Sequence, residues 1–235
     1  MTTYVLVHGA WHGPWCWDLL RAQLEERGAW TVAVDLSSHD PGVHYGDMVS
    51  VVAGAVRATD DDVIVVGHSF GGVVVPPAVA LEADRVRSMV LLCALLPVPG
   101  RSLGDQVAAE PDIFTPEMAK QRVDRLDGTS TWPEDRAVEL FYQDVPEETA
   151  RWAAARGRAH ANTVRDEPCP MTAWPDVVTH YVVCGDDQVV NPAWSRRAVP
   201  DRLGVVPTEL PGGHSPFLSR PEALAALLLE VTATC

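Results

Sequence analysis

A chain of 235 residues is long enough for one sizeable domain, or one domain with an insertion, and short for two independent ones. Its composition, 47% hydrophobic and 21% charged, is that of a globular protein, and 18 basic against 32 acidic residues give a formal charge of −14. The acidity is spread along the chain and not gathered in a tail; a negative surface repels phosphates, so neither a nucleic acid nor an anionic membrane is expected as partner.

No run of 18 apolar residues suggests a membrane span, and no basic region precedes the first apolar run, so no signal peptide is expected. Five scattered cysteines (Cys16, Cys93, Cys169, Cys184 and Cys235) have no metal-ligand spacing. They predict a reducing, cytoplasmic setting with the thiols as small buried hydrophobes, and no metal.

In chain order, short β-branched runs alternate with helical patterns. Strands are predicted over Tyr4–Val7, Thr31–Val34, Val63–Val66, Met89–Cys93, Val177–Val183 and Val205–Leu210. These are continuous apolar runs more than alternating ones, as in strands covered on both faces of a parallel sheet. Helices are predicted over 15–27, 46–58, 70–82 and 192–199, the third kinked or shortened at Pro76-Pro77. A last helix carries Leu224, Leu227, Leu228 and Val231 on one face and begins near Pro221. The alternation predicts an α/β fold: a mostly parallel sheet of about six strands flanked by helices. Residues 98–175 interrupt it, with helix-like stretches at Pro116–Leu126, Pro133–Tyr142 and Glu147–His160 and no strong strand. The reading is a core of residues 1–97 and 176–235 with an inserted helical cap, 98–175. Its aromatic residues argue against disorder.

The stretch Val63-Ile64-Val65-Val66-Gly67-His68-Ser69-Phe70-Gly71-Gly72 carries the chemistry. Two glycines and a serine at this spacing arise by chance about once in a dozen chains of this length. Placement between a strand and a helix makes the motif specific. A serine on that turn projects its hydroxyl from the sheet edge, and its neighbours must be small because helix and strand backbones approach there. Ser69 is the candidate nucleophile. After the first strand, His8-Gly9-Ala10-Trp11-His12-Gly13 can supply an oxyanion-binding N–H from Ala10, paired with the Phe70 N–H. His8 and His12 read as loop-shaping residues, because His214 is the better base: it follows the last strand on a glycine loop. The acid is expected after the preceding strand, where Asp186 and Asp187 are neighbours, in the chain order serine, aspartate, histidine.

These residues resemble the α/β-hydrolase superfamily over the whole chain, and within it the small cofactor-free esterases, methyl-ester hydrolases and plant-type hydroxynitrile lyases. The resemblance rests on the stretches from Val5 to Trp17, Gly67 to Gly72, Leu96 to Gly100, Cys184 to Gln188 and Gly213 to Leu218. It implies Asp187 as the triad acid and a cap over an apolar pocket. Gly9, Trp11, His12, His68 and Trp132 are the expected pocket residues. The lyases of this branch carry threonine at the place of Gly9 and lysine at that of Ser215, so the departures point to the esterase side. The expected function is hydrolysis of a carboxylic ester, or a lactone, of a small apolar or aromatic substrate through an acyl-enzyme on Ser69, without cofactor. The alternative is a lyase, cyclase or isomerase using His214 as general base with no covalent intermediate. The sequence leaves the oligomeric state open, a homodimer included.

Overall fold

The computed structural model describes residues 2–60, 62–118, 120 and 122–233. The chain runs through β1 (Thr2–Val7), a 3-10 turn (Pro14–Trp17), α1 (Asp18–Glu26) and β2 (Trp30–Val34). There follow α2 (Tyr45–Arg57), β3 (Asp62–His68), α3 (Gly71–Leu81) and β4 (Val86–Leu92). A long segment then carries α4 (Leu103–Ala109), β5 (Val123–Asp124), β6 (Thr129–Thr131), α5 (Glu134–Phe141), α6 (Glu147–Ala154), β7 (His160–Ala161) and α7 (Thr163–Asp166). The chain closes with β8 (Val178–Cys184), α8 (Pro192–Leu203), β9 (Thr208–Leu210), α9 (Pro216–Ser219) and α10 (Pro221–Thr232).

Six strands form one sheet in the order β2-β1-β3-β4-β8-β9, every pair parallel. Right-handed crossovers fix the layers. The step from β1 to β2 runs opposite to the later steps, so α1 lies on one face and α2, α3 and α8 on the other. The contacts agree: α1 packs on α10, and α2 on α3. With both faces covered, the central residues Val5, Leu6, Val65, Val66, Val90 and Leu91 are fully buried. All the loops that carry the candidate residues leave the same, carboxyl edge of this sheet.

The predicted strands and the core helices occur, with three physical adjustments. β9 begins at Thr208, not Val205, because Pro207 has no N–H to give a ladder. Pro76-Pro77 does not break α3, which runs from Gly71 to Leu81. A proline at 77 deprives the Val73 carbonyl of its helical donor; the Tyr45 hydroxyl donates to it instead at 2.5 Å. The last predicted helix buries Leu224, Ala225 and Leu228 along α10, while Leu227 and Val231 are half-buried.

The segment between β4 and β8 is not purely helical. No helix spans Pro116–Leu126 among the described residues; Ala119 and Gln121 lie outside them. Asp127-Gly128 makes a tight turn there, with Gly128 at φ 82 and Arg125 N–H donating to the Thr129 carbonyl at 2.7 Å. That turn folds Val123–Asp124 back on β6, and β7 completes a three-stranded antiparallel sheet, β5-β6-β7. The Glu147–His160 stretch likewise ends its helix at Ala154, and His160 enters β7. Cys16, Cys93, Cys169 and Cys184 are buried free thiols, as expected; Cys235 lies outside the described residues. No helix among the described residues is long and apolar enough to cross a membrane.

Two glycine substitutions separate close approach from propensity. A Cβ on Gly72 would sit 2.4 Å from the Leu95 carbonyl oxygen and 2.6 Å from Ala94 Cβ, whereas one on Gly54 in α2 meets nothing within 4 Å. Gly72→Ala is expected to cost about 3 kcal/mol in urea denaturation by forcing backbone apart. Gly54→Ala is expected to gain about 0.5–1 kcal/mol from helix propensity.

Candidate active site

Ser69 sits at the turn from β3 into α3 with φ 52, a left-handed conformation that L-residues adopt only under constraint. The constraint is legible in its hydrogen bonds. Ser69 N–H donates to the Leu92 carbonyl at 3.1 Å, and its own carbonyl accepts from Gly72 and Leu95, both at 3.0 Å. The flanking glycines allow it. A Cβ on Gly67 would lie 2.9 Å from Val75 Cγ2, and one on Gly71 2.7 Å from the Val7 carbonyl oxygen.

His214 and Asp187 meet in the interior. His214 Nδ1 and Asp187 Oδ2 are 2.8 Å apart, and both residues are buried. Asp187 Oδ1 accepts from Val189 and Val190 N–H at 2.7 and 3.2 Å. Both carboxylate oxygens are therefore paired, as a buried acceptor requires. Asp186 is exposed, and its carbonyl accepts from Gln143 Nε2. The His214 backbone is tied to the serine turn through His68, whose Nε2–H donates to the His214 carbonyl at 2.8 Å. Ser69 Oγ makes no hydrogen bond among the described residues. Such bonds commonly tighten only when substrate is present.

A cavity of about 780 Å³ opens over Ser69. Ala10, Trp11, Ser69 and Phe70 form its floor, and Leu95, Val107, Phe114, Met118 and Val189 contribute apolar walls. The N–H groups of Ala10 and Phe70 have no backbone acceptor among the described residues. Trp11 lines the cavity as expected. Gly9, His12, His68 and Trp132 do not, and this corrects the sequence-based list. Gly9 is pressed against His68 Nδ1 and Ser69 Cβ, each 2.9 Å from where its Cβ would be. His68 is fully buried behind the turn, and burial holds its imidazole well below the ordinary pKa. His12 and Trp132 border a second, smaller void under Trp11.

His12 has a structural part. Burial lowers its pKa to about 3, so the ring is neutral. Its Nδ1–H donates to the Ala10 carbonyl at 2.8 Å, which leaves Nε2 to accept from the Tyr142 hydroxyl at 3.0 Å. His8 does the same for its own turn, donating from Nδ1 to the Gly9 carbonyl at 2.8 Å and accepting from Leu36 N–H. Trp11, between them, has φ 61. For so bulky a residue that costs about 1–3 kcal/mol. It is held by Arg158 N–H on its carbonyl (2.8 Å), by Ser130 Oγ on its indole N–H (3.2 Å), and by Trp132 and Phe141 against its ring.

Sequence reasoning missed Asp144. Its Oδ2 accepts from Gly213 N–H at 2.9 Å and pairs with Arg220, locking the loop that carries His214. A Cβ on Gly212 or Gly213 would collide with this pair or with Gln143. Leu95, Val107, Met118 and His160 in the cavity were missed as well; no local motif marks them, because they converge from distant parts of the chain. Among the described residues one group of three metal-ligand side chains, His68, Cys93 and His214, has donor atoms within 4.8 Å. Three of their atoms are already bonded: His68 Nε2 to the His214 carbonyl, Cys93 Sγ to Cys184 and His214 Nδ1 to Asp187.

The profile of the Alpha/beta hydrolase family matches residues 4–227. The chain is 28% identical over 243 residues to a carbendazim-hydrolysing esterase of Nocardioides sp., covering 97% of this chain and 98% of the relative. It is 27% identical over 262 residues to methylesterase 7 of Arabidopsis thaliana, covering 97% and 95%. The crystal structure of a pyrethroid hydrolase from Sphingobium faniae superposes with a TM-score of 0.86 at 27% identity, over 99% of this chain and 97% of that one.

Two measurements test the supports of the site. Tyr142→Phe leaves His12 Nε2 buried without a donor and is expected to cost about 1–3 kcal/mol in chemical denaturation. Burial alone would raise the Asp144 pKa, but Gly213 N–H and Arg220 outweigh it and hold the carboxyl below its ordinary 3.8. Its stabilisation is thus complete above about pH 4–5 and is lost as pH falls through the depressed folded-state value. The urea midpoint is expected to drop less between about pH 5 and pH 3 in Asp144→Asn than in the wild type; equal drops would contradict the pairing.

Proposed function

The chain belongs to the alpha/beta hydrolase family, and from that premise we propose that it hydrolyses carboxylic esters through an acyl-enzyme on Ser69. Ser69 Oγ attacks the ester carbonyl while His214 Nε2 takes its proton. Asp187 holds His214 in the tautomer with Nδ1 protonated and stabilises the imidazolium that forms. The Ala10 and Phe70 N–H groups receive the developing oxyanion, a contribution of about 3–4 kcal/mol for each such donor. His214 returns the proton to the leaving alkoxide, and a water activated by the same base releases the acid. The observation that carries this reading is the buried Asp187–His214 pair joined through His68 to the strained serine turn beneath an apolar cavity. Relatives named as esterases and hydrolases, aligned over almost the whole chain, support the ester as the bond cleaved.

Residues 98–175 act as the cap over this centre, in mixed rather than helical form, and the partner is a small, largely apolar ester. The reading needs no cofactor. A lyase reaction is disfavoured at Gly9, because His68 and Ser69 already fill the space that a threonine side chain would enter.

Ser69→Ala is expected to lower turnover of p-nitrophenyl acetate by orders of magnitude with the fold intact by circular dichroism. Asp187→Asn should lower kcat by about 10⁴-fold, the scale of losing the correct tautomer. Asp186→Asn should stay within about twofold of wild type, as a surface change does. The reverse ranking of the two aspartates contradicts the assignment.

A further inference from the structure

Several polar side chains in the cavity have no part in this mechanism, and His160 is packed against its floor. His160, in β7, lines the cavity with Ala10, Ser69 and Phe70, yet is only 7% exposed. Its ring stands edge-on to Phe70 with centroids 4.6 Å apart, and 5.7 Å from the Trp11 ring. Its backbone is paired with Ser130 in β6, and the next N–H, of Ala161, donates to the Ser38 carbonyl at 2.7 Å. The ring is thus fixed from several sides. Among the described residues its Nδ1 is buried without any hydrogen-bond partner and its Nε2 makes no hydrogen bond.

These facts decide the tautomer. A buried N–H without an acceptor is rarer and costlier than a buried lone pair, so the proton belongs on Nε2, the edge left to the cavity. Burial, the largest cause, lowers the pKa to about 3. At working pH the ring is neutral. It offers one N–H donor and no charge, which suits a neutral acceptor such as a ketone, ether or ring-nitrogen atom. In a cavity walled mostly by hydrocarbon, such a donor orients a ligand more than it adds affinity.

We propose that His160 is a substrate-binding residue, donating its Nε2–H to a neutral hydrogen-bond acceptor on the body of the ester, away from the scissile carbonyl. The substrate class is then narrower than apolar esters: an aromatic or alkyl ester bearing a ketone, ether or ring nitrogen within reach of His160. This rests on the ester-hydrolase reading for its chemistry, and on the cavity alone for its binding. His160 is a positioning and selectivity residue. Among the described residues no carboxylate pairs with it to make it a base.

The test uses matched p-nitrophenyl esters that differ only at the acceptor. Pairs are 3-(pyridin-4-yl)propanoate against 3-phenylpropanoate, and 4-oxo- and 5-oxohexanoate against hexanoate. Wild-type kcat/KM is expected to favour at least one acceptor ester over its carbon partner by about two- to tenfold, the range of one neutral hydrogen bond. His160→Phe keeps the aromatic packing on Phe70 and Trp11. It should lose the preference, the ratio of kcat/KM for acceptor and plain ester falling to about one. His160→Gln, which restores an N–H donor, should recover part of it. The same ratios are read as dissociation constants on Ser69→Ala by calorimetry, where no turnover occurs. A preference that survives His160→Phe, or no preference for any acceptor in either readout, overturns the proposal. Binding ratios as expected with no hydrolysis by the wild type would instead overturn the ester-hydrolase reading and leave His160 as a binding residue.

Discussion

The left-handed backbone at Ser69 is the constraint on which the rest of the site depends. An L-residue at φ 52 costs energy that local structure cannot return. It persists because three backbone hydrogen bonds, to Leu92, Gly72 and Leu95, span from β3 to β4 and into α3. Those bonds exist only if α3 lies against β1 and β4 at a distance that admits no Cβ on Gly71 or Gly72. The same close approach brings the Phe70 N–H and the start of α3 up to the cavity floor, where the partial positive charge of a helix N-terminus favours an anion. One turn therefore presents the hydroxyl and aligns a donor for the charge that attack would generate.

The partners of the serine are held by burial more than by flexible surface charge. Asp187 has two backbone N–H groups on one oxygen and His214 on the other, so the carboxylate can be buried without an orphaned lone pair. His214 is anchored twice: at its carbonyl by His68, and through Gly213 by Asp144. Asp144 belongs to the long segment between β4 and β8. So do Tyr142, which fixes His12, and Ser130, which fixes Trp11. That segment thus steadies the oxyanion loop and the histidine loop together, besides walling the cavity. The net charge of −14 has no part in this geometry; it concerns the outer surface.

Much of the fold was legible because buried parallel strands are written as continuous β-branched runs and because Gly67, Ser69, Gly71 and Gly72 must be what they are. One failure has a local cause that pattern reading underweights: Asp127-Gly128 turned an expected helix into a hairpin. In α3 a hydroxyl from Tyr45 serves the carbonyl that Pro77 leaves without a donor, and the helix is not shortened there. Beyond the nucleophile and the two oxyanion donors, the cavity was legible only at Trp11. His12 and His68 are histidines near a serine in sequence, yet both lie behind the floor, His12 bonded at both nitrogens and His68 through Nε2 to the His214 carbonyl. His160, which does face the cavity, lies 91 positions after Ser69 by subtraction of their numbers and carries no motif. Strand pairing in a small sheet delivers it, and sequence periodicity over two-residue strands holds no such information.

The central claim is that Ser69 becomes covalently acylated. Intact-mass and peptide mass spectrometry after exposure to a fluorophosphonate reports it directly, because the probe mimics the tetrahedral adduct and needs an activated serine. The account predicts one stoichiometric adduct, on the peptide containing Ser69, formed far more slowly in His214→Ala. An unlabelled Ser69, or labelling at an unchanged rate without His214, would contradict it.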